Sequence, residues 1–189
     1  MLTEAFMFAY KAHEGQYRKI GGLPYIVHPV EVALELARNG ADEKLIAAGY
    51  LHDTIEDAGI TKEEIEAAFG REIADIIAYD SEDKTKSWEE RKSKMLENLS
   101  RPGELDYKML ICADKLSNLR SMYDELQKKG DEIWSGFNRG KDKQAWLAYE
   151  TVKALSPLGG MPMYEELKQL SEKIFKDEME KTNGNICNT

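Results

Sequence analysis

One stretch of this chain, Leu51-His52-Asp53-Thr54-Ile55-Glu56-Asp57, sets a Glu-Asp doublet one helical turn after a His-Asp doublet. Apolar residues lead into it, Leu45-Ile46-Ala47-Ala48-Gly49-Tyr50, so the segment is expected to reach into the core. On a continuous helix, residues four apart are offset by only about 40°. His52 would then lie under Glu56 and Asp53 under Asp57, with one imidazole and three carboxylates projecting together. Carboxylates crowded in a core repel one another, and burying them unpaired costs several kcal/mol each. A bound cation is the simplest remedy.

Two residues elsewhere complete a donor set. His28 follows Pro24-Tyr25-Ile26-Val27 and precedes Pro29, where an extended segment is expected to turn into a helix. Asp114 ends the apolar run Leu110-Ile111-Cys112-Ala113, where a carboxylate is unfavourable without a partner. Asn118 lies one turn further on the same face. His28, His52, Asp53 and Asp114 make a two-histidine, two-carboxylate site. Mixed nitrogen and oxygen donors suit Mn²⁺, Fe²⁺ or Zn²⁺ better than Ca²⁺ or a thiolate-seeking metal, and the residues alone do not choose among the three. A divalent ion lowers the pKa of bound water and polarises a phosphoryl oxygen. Glu56, about one turn from a ligand, suits a general base or water-orienting group. Asp57, at the C-terminal end of its helix, opposes the helix dipole, which favours a functional role over a solvated one.

The elements that must position these groups read as helices throughout. Residues 3–14 carry Phe6, Ala9, Tyr10 and His13 at helical spacing. A loop with Gly21, Gly22 and Pro24 follows, and Pro29 is expected to open a helix to Arg38 with Val30, Ala33, Leu34 and Ala37 inward. Asn39-Gly40 ends it, and Asp42 can cap the helix carrying the His-Asp doublet. Thr61-Lys62-Glu63-Glu64 and Ser87-Trp88-Glu89-Glu90 have the form of capping boxes. The charged stretch from Asp80 to Lys86 reads as a loop. A long helix is expected over 104–129, closed by Gly130, with further helices over 141–155 and 163–180. The spacing predicts an all-α fold: a single-domain helical bundle of about eight to ten helices over residues 1–181, followed by a flexible tail, 182–189.

Bulk properties narrow the function classes. The 189 residues suit one domain with a sizeable core. No apolar run approaches the roughly 20 residues needed to span a membrane, and Met1-Leu2-Thr3-Glu4-Ala5-Phe6 lacks a basic signal-peptide start. Two cysteines, Cys112 in an apolar run and Cys187 in a polar tail, make no disulfide framework. A cytoplasmic protein is expected. The net charge of −9 does not advertise the broad basic surface a nucleic acid needs. A small anion remains compatible, because a metal and local Lys and Arg residues can bind it against the global field.

Four ordered motifs carry a resemblance. They are Ala12-His13-Glu14-Gly15-Gln16-Tyr17-Arg18-Lys19, Pro24-Tyr25-Ile26-Val27-His28-Pro29, Leu51 to Asp57, and Ala113-Asp114-Lys115-Leu116-Ser117-Asn118-Leu119-Arg120. From about Ala5 to Leu155 the chain resembles the HD-domain metal-dependent phosphohydrolases. More narrowly, it is similar to the hydrolase domain of RelA/SpoT alarmone enzymes and to the stand-alone small alarmone hydrolases. The resemblance implies that His28, His52, Asp53 and Asp114 bind one Mn²⁺ and that Glu56 and Asp57 serve the attacking water. It implies that Arg18 lines the nucleotide pocket and that Asn118 contacts substrate. It also implies a reaction: removal of the 3′-pyrophosphate of ppGpp or pppGpp, with water at the metal as nucleophile.

Such a substrate adds negative charge to a site already rich in carboxylates, so basic side chains must converge on its phosphates. Arg18 and Lys19 are the leading candidates, followed by Lys84, Lys86 and Arg91. One departure stands out: alarmone hydrolases often carry Ser after the Arg-Lys pair, and here Ile20 takes that place. Two other readings share the ligand set. One is an HD-domain phosphohydrolase for another nucleotide, such as NADPH or a nucleoside monophosphate. The other is a non-catalytic metal-bound nucleotide sensor, which would need the ligands but not the pair Glu56 and Asp57.

Overall fold

The structure, a computed structural model, describes residues 1–80 and 83–186, with the side chains of Asp80 and of 179–186 outside the description. Among the described residues the regular elements are all helical: α1 (Leu2–Ala12), α2 (Val27–Arg38), α3 (Glu43–Leu51), α4 (Thr54–Ala58), α5 (Lys62–Phe69), α6 (Arg71–Asp80), α7 (Trp88–Leu99), α8 (Leu105–Lys129), α9 (Lys141–Ala154) and α10 (Pro162–Ile186). A 3-10 segment, Gly130–Gly136, links α8 to α9. The architecture is the all-α bundle the spacing predicts.

Capping chemistry starts several of these helices. The Asp42 carboxylate accepts from the Leu45 N–H at 2.9 Å, and Thr61 and Ser87 form complete capping boxes with Glu64 and Glu90. Gly130 closes α8 with φ 59°, a conformation that a side chain disfavours.

Helix α8 is the axis of the core. It packs against α2, α3, α6 and α10, and Leu110, Ile111, Cys112, Ala113 and Leu116 are fully buried along it. Burial pushes the Cys112 thiol up to about 12, so it remains protonated and acts as a small apolar filler. Helices α2 and α3 approach closely at Gly49, where an added Cβ would lie 2.8 Å from Leu36 Cδ1 and 3.1 Å from Ala33 Cα. Arg120 on α8 clamps α2 to α10. Its Nη1 donates to Glu35 Oε2 at 2.8 Å, and its Nε and Nη2 donate to the two carboxylate oxygens of Glu166.

Several expectations shift. The His-Asp doublet does not lie inside one helix: α3 ends at Leu51 and α4 begins at Thr54. The His52 Nδ1–H donates to the Gly49 carbonyl at 2.9 Å and the Thr54 hydroxyl to the Leu51 carbonyl at 2.6 Å, so side chains compete with amides for helical acceptors. Helix α2 starts at Val27, which puts His28 in its first turn and Pro29 at its third residue. Pro is tolerated there because first-turn N–H groups lack helical partners anyway.

The inward face of α2 is also rotated from the expected one. His28, Val32, Ala33, Glu35 and Leu36 are buried, whereas Leu34 is 46% exposed and Ala37 is exposed. The buried imidazole and the Glu35–Arg120 pair fix this face, and an apolar count is blind to both. On α1, Ala5 and Ala9 are buried, as is His13 just past its end, while Tyr10 lies outward. Helix α10, kinked at Phe175, runs to Ile186, into the segment expected as a tail. Cys187 to Thr189 lie outside the described residues.

Candidate active site

Three packed elements bring the donor set together. Helix α2 supplies His28, the α3–α4 turn supplies His52 and Asp53, and the middle of α8 supplies Asp114. The Nε2 atoms of His28 and His52 lie 3.3 Å apart. Asp114 Oδ1 is 3.1 Å from His28 Nε2 and 3.9 Å from His52 Nε2. Asp53 Oδ2 is 3.1 Å from His52 Nε2 and 3.5 Å from His28 Nε2. His28, His52 and Asp114 are buried, and one donor atom from each falls within 4.8 Å of the others.

The hydrogen-bond partners assign both imidazole tautomers. The Gly49 carbonyl can only accept, so His52 carries its proton on Nδ1. The Ser117 hydroxyl donates to Glu31 Oε2 at 2.6 Å and therefore accepts from His28 Nδ1–H at 2.8 Å. Both Nε2 lone pairs thus face each other and two carboxylate oxygens. Burial pulls the His28 pKa below its ordinary value, which keeps the ring neutral. Four electron-rich atoms at these separations, with no proton between them, fit a divalent cation. Each histidine also holds its other nitrogen in a hydrogen bond, the arrangement that orients metal-ligating imidazoles.

A further set of contacts surrounds the ligands. Asp114 Oδ1 accepts from Asn118 Nδ2 at 2.6 Å, and its Oδ2 pairs with Lys115 Nζ at 2.5 Å. Burial alone would raise the Asp114 pKa, but the Lys115 ammonium beside it outweighs this and holds the carboxyl well below the usual range. The Tyr25 hydroxyl is 2.7 Å from Asp53 Oδ2 and 3.1 Å from Asp57 Oδ2. Burial, reinforced by Asp53, pushes the Tyr25 pKa far up, so the phenol keeps its proton.

Two spaces adjoin the ligands. A cavity of about 200 Å³ is lined by Tyr25, His28, Asp53, Glu56, Asp57 and Asp114 together with Arg91, Lys92, Lys115 and Asn118. It shares Tyr25, Glu56, Asp57, Arg91 and Asn118 with an open cleft of about 830 Å³ that adds Arg18, Lys19 and Lys84. Arg18 Nη2 donates to Asn118 Oδ1 at 3.0 Å, which connects the loop after α1 to the ligand Asp114 through one amide. Lys84 Nζ donates to Asp57 Oδ1 at 2.8 Å and to the Glu56 carbonyl at 2.7 Å. Lys86 is exposed and lines neither space. Ile20 stands between the cleft and a third, mostly apolar cavity of about 270 Å³ that includes Trp88, Met122, Phe137 and Phe175.

All four expected ligands therefore meet, and Glu56, Asp57, Arg18, Lys19, Asn118 and Lys84 surround them. Sequence reasoning missed Tyr25, Lys115, Ser117, Glu31 and Gln16. Ser117 and Glu31 each lie three residues after a ligand, Asp114 and His28, so helical spacing could have suggested them.

A helical bundle that brings two oriented imidazoles and two carboxylates together beside a cleft lined by Arg18, Lys19, Lys84 and Arg91 has the makings of a divalent-metal site. The chain belongs to the HD-domain family, which matches residues 5–142. It is 34% identical over 187 residues to a probable guanosine-3′,5′-bis(diphosphate) 3′-pyrophosphohydrolase of Synechocystis, covering 94% of this chain and 23% of that protein. It is 33% identical over 162 residues to the guanosine-3′,5′-bis(diphosphate) 3′-pyrophosphohydrolase of Vibrio cholerae, covering 83% of this chain and 21% of that protein. The chain thus spans about a quarter of the length of these curated relatives.

Two solved structures match over most of their own length. The structure of lmo0812 from Listeria monocytogenes EGD-e is 41% identical with a TM-score of 0.74, covering 79% of this chain and 99% of that one. A metazoan ortholog of SpoT, described as hydrolysing ppGpp, is 26% identical with a TM-score of 0.72, covering 93% and 94%.

Proposed function

We propose that the chain is a cytoplasmic, Mn²⁺-dependent hydrolase that removes the 3′-pyrophosphate of ppGpp or pppGpp, working as one HD-type domain over residues 1–181. One observation carries this reading. The buried donor set opens directly, past Glu56 and Asp57, into a cleft that collects Arg18, Lys19, Lys84 and Arg91 in a protein of net charge −9. The named relatives and the SpoT ortholog support ppGpp as the substrate.

In this reading His28, His52, Asp53 and Asp114 hold the ion. When bound, a divalent ion lowers the pKa of water and polarises the phosphoryl oxygen. We assign proton acceptance to Glu56, whose Oε1 lies 3.8 Å from Lys84 Nζ, and orientation of the water to Asp57, which accepts from Lys84 at 2.8 Å and faces the Tyr25 hydroxyl at 3.1 Å. Arg18 and Lys19 bind phosphate, and Arg18 alone has the planar guanidinium that could instead stack on the base. Asn118 couples that contact to Asp114. Lys84 joins the phosphates only by exchanging Asp57 for them.

A second reading draws on Ile20, which lines both the cleft and the apolar cavity where alarmone hydrolases often carry Ser. It is a related HD hydrolase acting on NADPH or a nucleoside monophosphate. Purified protein with Mn²⁺ is given ppGpp, NADPH and simple nucleotides, and the products are identified. Guanosine 5′-diphosphate plus pyrophosphate is the expected result. Orthophosphate from NADPH alone would select the second reading, and tight metal-dependent ppGpp binding without turnover would mark a sensor.

A further inference from the structure

We propose that Tyr25 is a positioning residue that fixes the distance between the metal ligand Asp53 and the water-handling acid Asp57. Its hydroxyl touches both carboxylates, at 2.7 Å from Asp53 Oδ2 and 3.1 Å from Asp57 Oδ2. The Asp53 atom it holds is the one that faces both His28 and His52. The one hydroxyl proton is shared between the two acids, with the shorter arm on Asp53, so it restrains the ligand oxygen beside the imidazoles and draws Asp57 toward the same point.

Tyr25 is itself held by a closed ring of contacts. The His13 ring lies against it, with centroids 4.8 Å apart and planes at 32°. His13 Nδ1 bonds Gln16 Oε1 at 2.8 Å. Gln16 Nε2 donates to the Asp57 carbonyl at 2.9 Å, and the Gln16 carbonyl accepts from the Tyr25 N–H at 2.9 Å. The end of α1, the following loop and the end of α4 are thereby joined through four residues. This gives a packing role to His13, which is 3% exposed and holds Gln16 through Nδ1. Tyr25 acts through the two acids rather than through a phosphate, so it differs in role from Arg18 and Lys19. Only the kinetic part of this proposal rests on the hydrolase reading; the metal-binding part concerns the free protein.

Tyr25→Phe keeps the ring packing and removes only the hydroxyl. Mn²⁺ affinity of the free protein, read by electron paramagnetic resonance, is expected to weaken about 10-fold or more, as for other groups that orient metal ligands. The kcat for ppGpp is expected to fall about 10–100-fold with KM unchanged. Wild-type Mn²⁺ affinity together with a raised KM would show a plain substrate contact and overturn the proposal, as would wild-type values throughout. Gln16→Leu cuts the ring without touching Asp53, and keeps the test open if Tyr25→Phe does not fold. It should lower kcat about 10-fold and leave Mn²⁺ affinity intact, and an unchanged kcat would contradict the ring's role. If wild-type protein does not turn over ppGpp, the substrate reading fails while the Mn²⁺ measurement still decides on Tyr25.

Discussion

Proton placement on two imidazoles decides what this site can hold. The Gly49 carbonyl and the Ser117 hydroxyl take the Nδ1 protons, leaving both Nε2 lone pairs for a cation. The candidate ligands were legible in the sequence because histidines and carboxylates are costly in or beside a core without a purpose. The groups that orient them were not. Tyr, Ser, Glu and Gln are ordinary residues whose meaning here depends on partners far along the chain. Two outcomes belong to this scale. Glu56→Gln should retain Mn²⁺ and slow turnover roughly 10²–10⁴-fold, the range for a lost acid-base group, and an unchanged rate would make Glu56 a bystander. The second concerns pH. Burial lowers the His28 pKa below its ordinary 6.5, so the unfolded chain takes up this proton at a higher pH than the folded one. Metal-free protein should therefore lose stability as pH falls through and below 6.5, until the folded ring also titrates. Urea denaturation of chelator-treated protein at a series of pH values measures this. For His28→Asn the same window should be flatter, and an identical slope would contradict the assignment.

At the scale of elements, periodicity and capping located the helices well but rotated one of them. Asp42, Thr61 and Ser87 start their helices where their chemistry predicts, because an N-cap is a local decision. The inward face of α2 is a tertiary decision: burial of His28 and Glu35 overrode the pattern of Val30, Leu34 and Ala37. The break between α3 and α4 was likewise hidden, since it arises from His52 and Thr54 side chains competing for backbone carbonyls. Gly49 links these facts. It permits the α2–α3 approach that brings His28 to His52, and its carbonyl fixes the His52 tautomer. Gly49→Ala places a Cβ against Leu36 and the Ala33 backbone, and overpacking of this kind costs about 1–3 kcal/mol. A lower urea midpoint together with weaker Mn²⁺ binding is expected. A midpoint and affinity equal to wild type would mean that the close approach does not set the site.

For the whole molecule, one bundle does two jobs with one axis. Helix α8 carries the core through Leu110 to Leu116, the candidate metal ligand Asp114, the cleft residue Asn118 and the clamp Arg120. Stability and chemistry are therefore coupled along a single element, and the basic cleft forms where the loop after α1 reaches Asn118. No helix among the described residues is long and apolar enough to cross a membrane. The family was legible because four motifs recur in order, while substrate choice was less so, because the cleft draws its lining from the loop after α1, α4, α7 and α8, residues far apart in the sequence. The most direct test is a product assay on ppGpp with Mn²⁺ added stepwise to metal-free protein, wild type beside Asp53→Ala. The expected result is guanosine 5′-diphosphate and pyrophosphate rising with Mn²⁺ until each chain holds its ion, and neither product nor bound ion in Asp53→Ala. Cleavage by the metal-free protein, or full Mn²⁺ occupancy in Asp53→Ala, would contradict it.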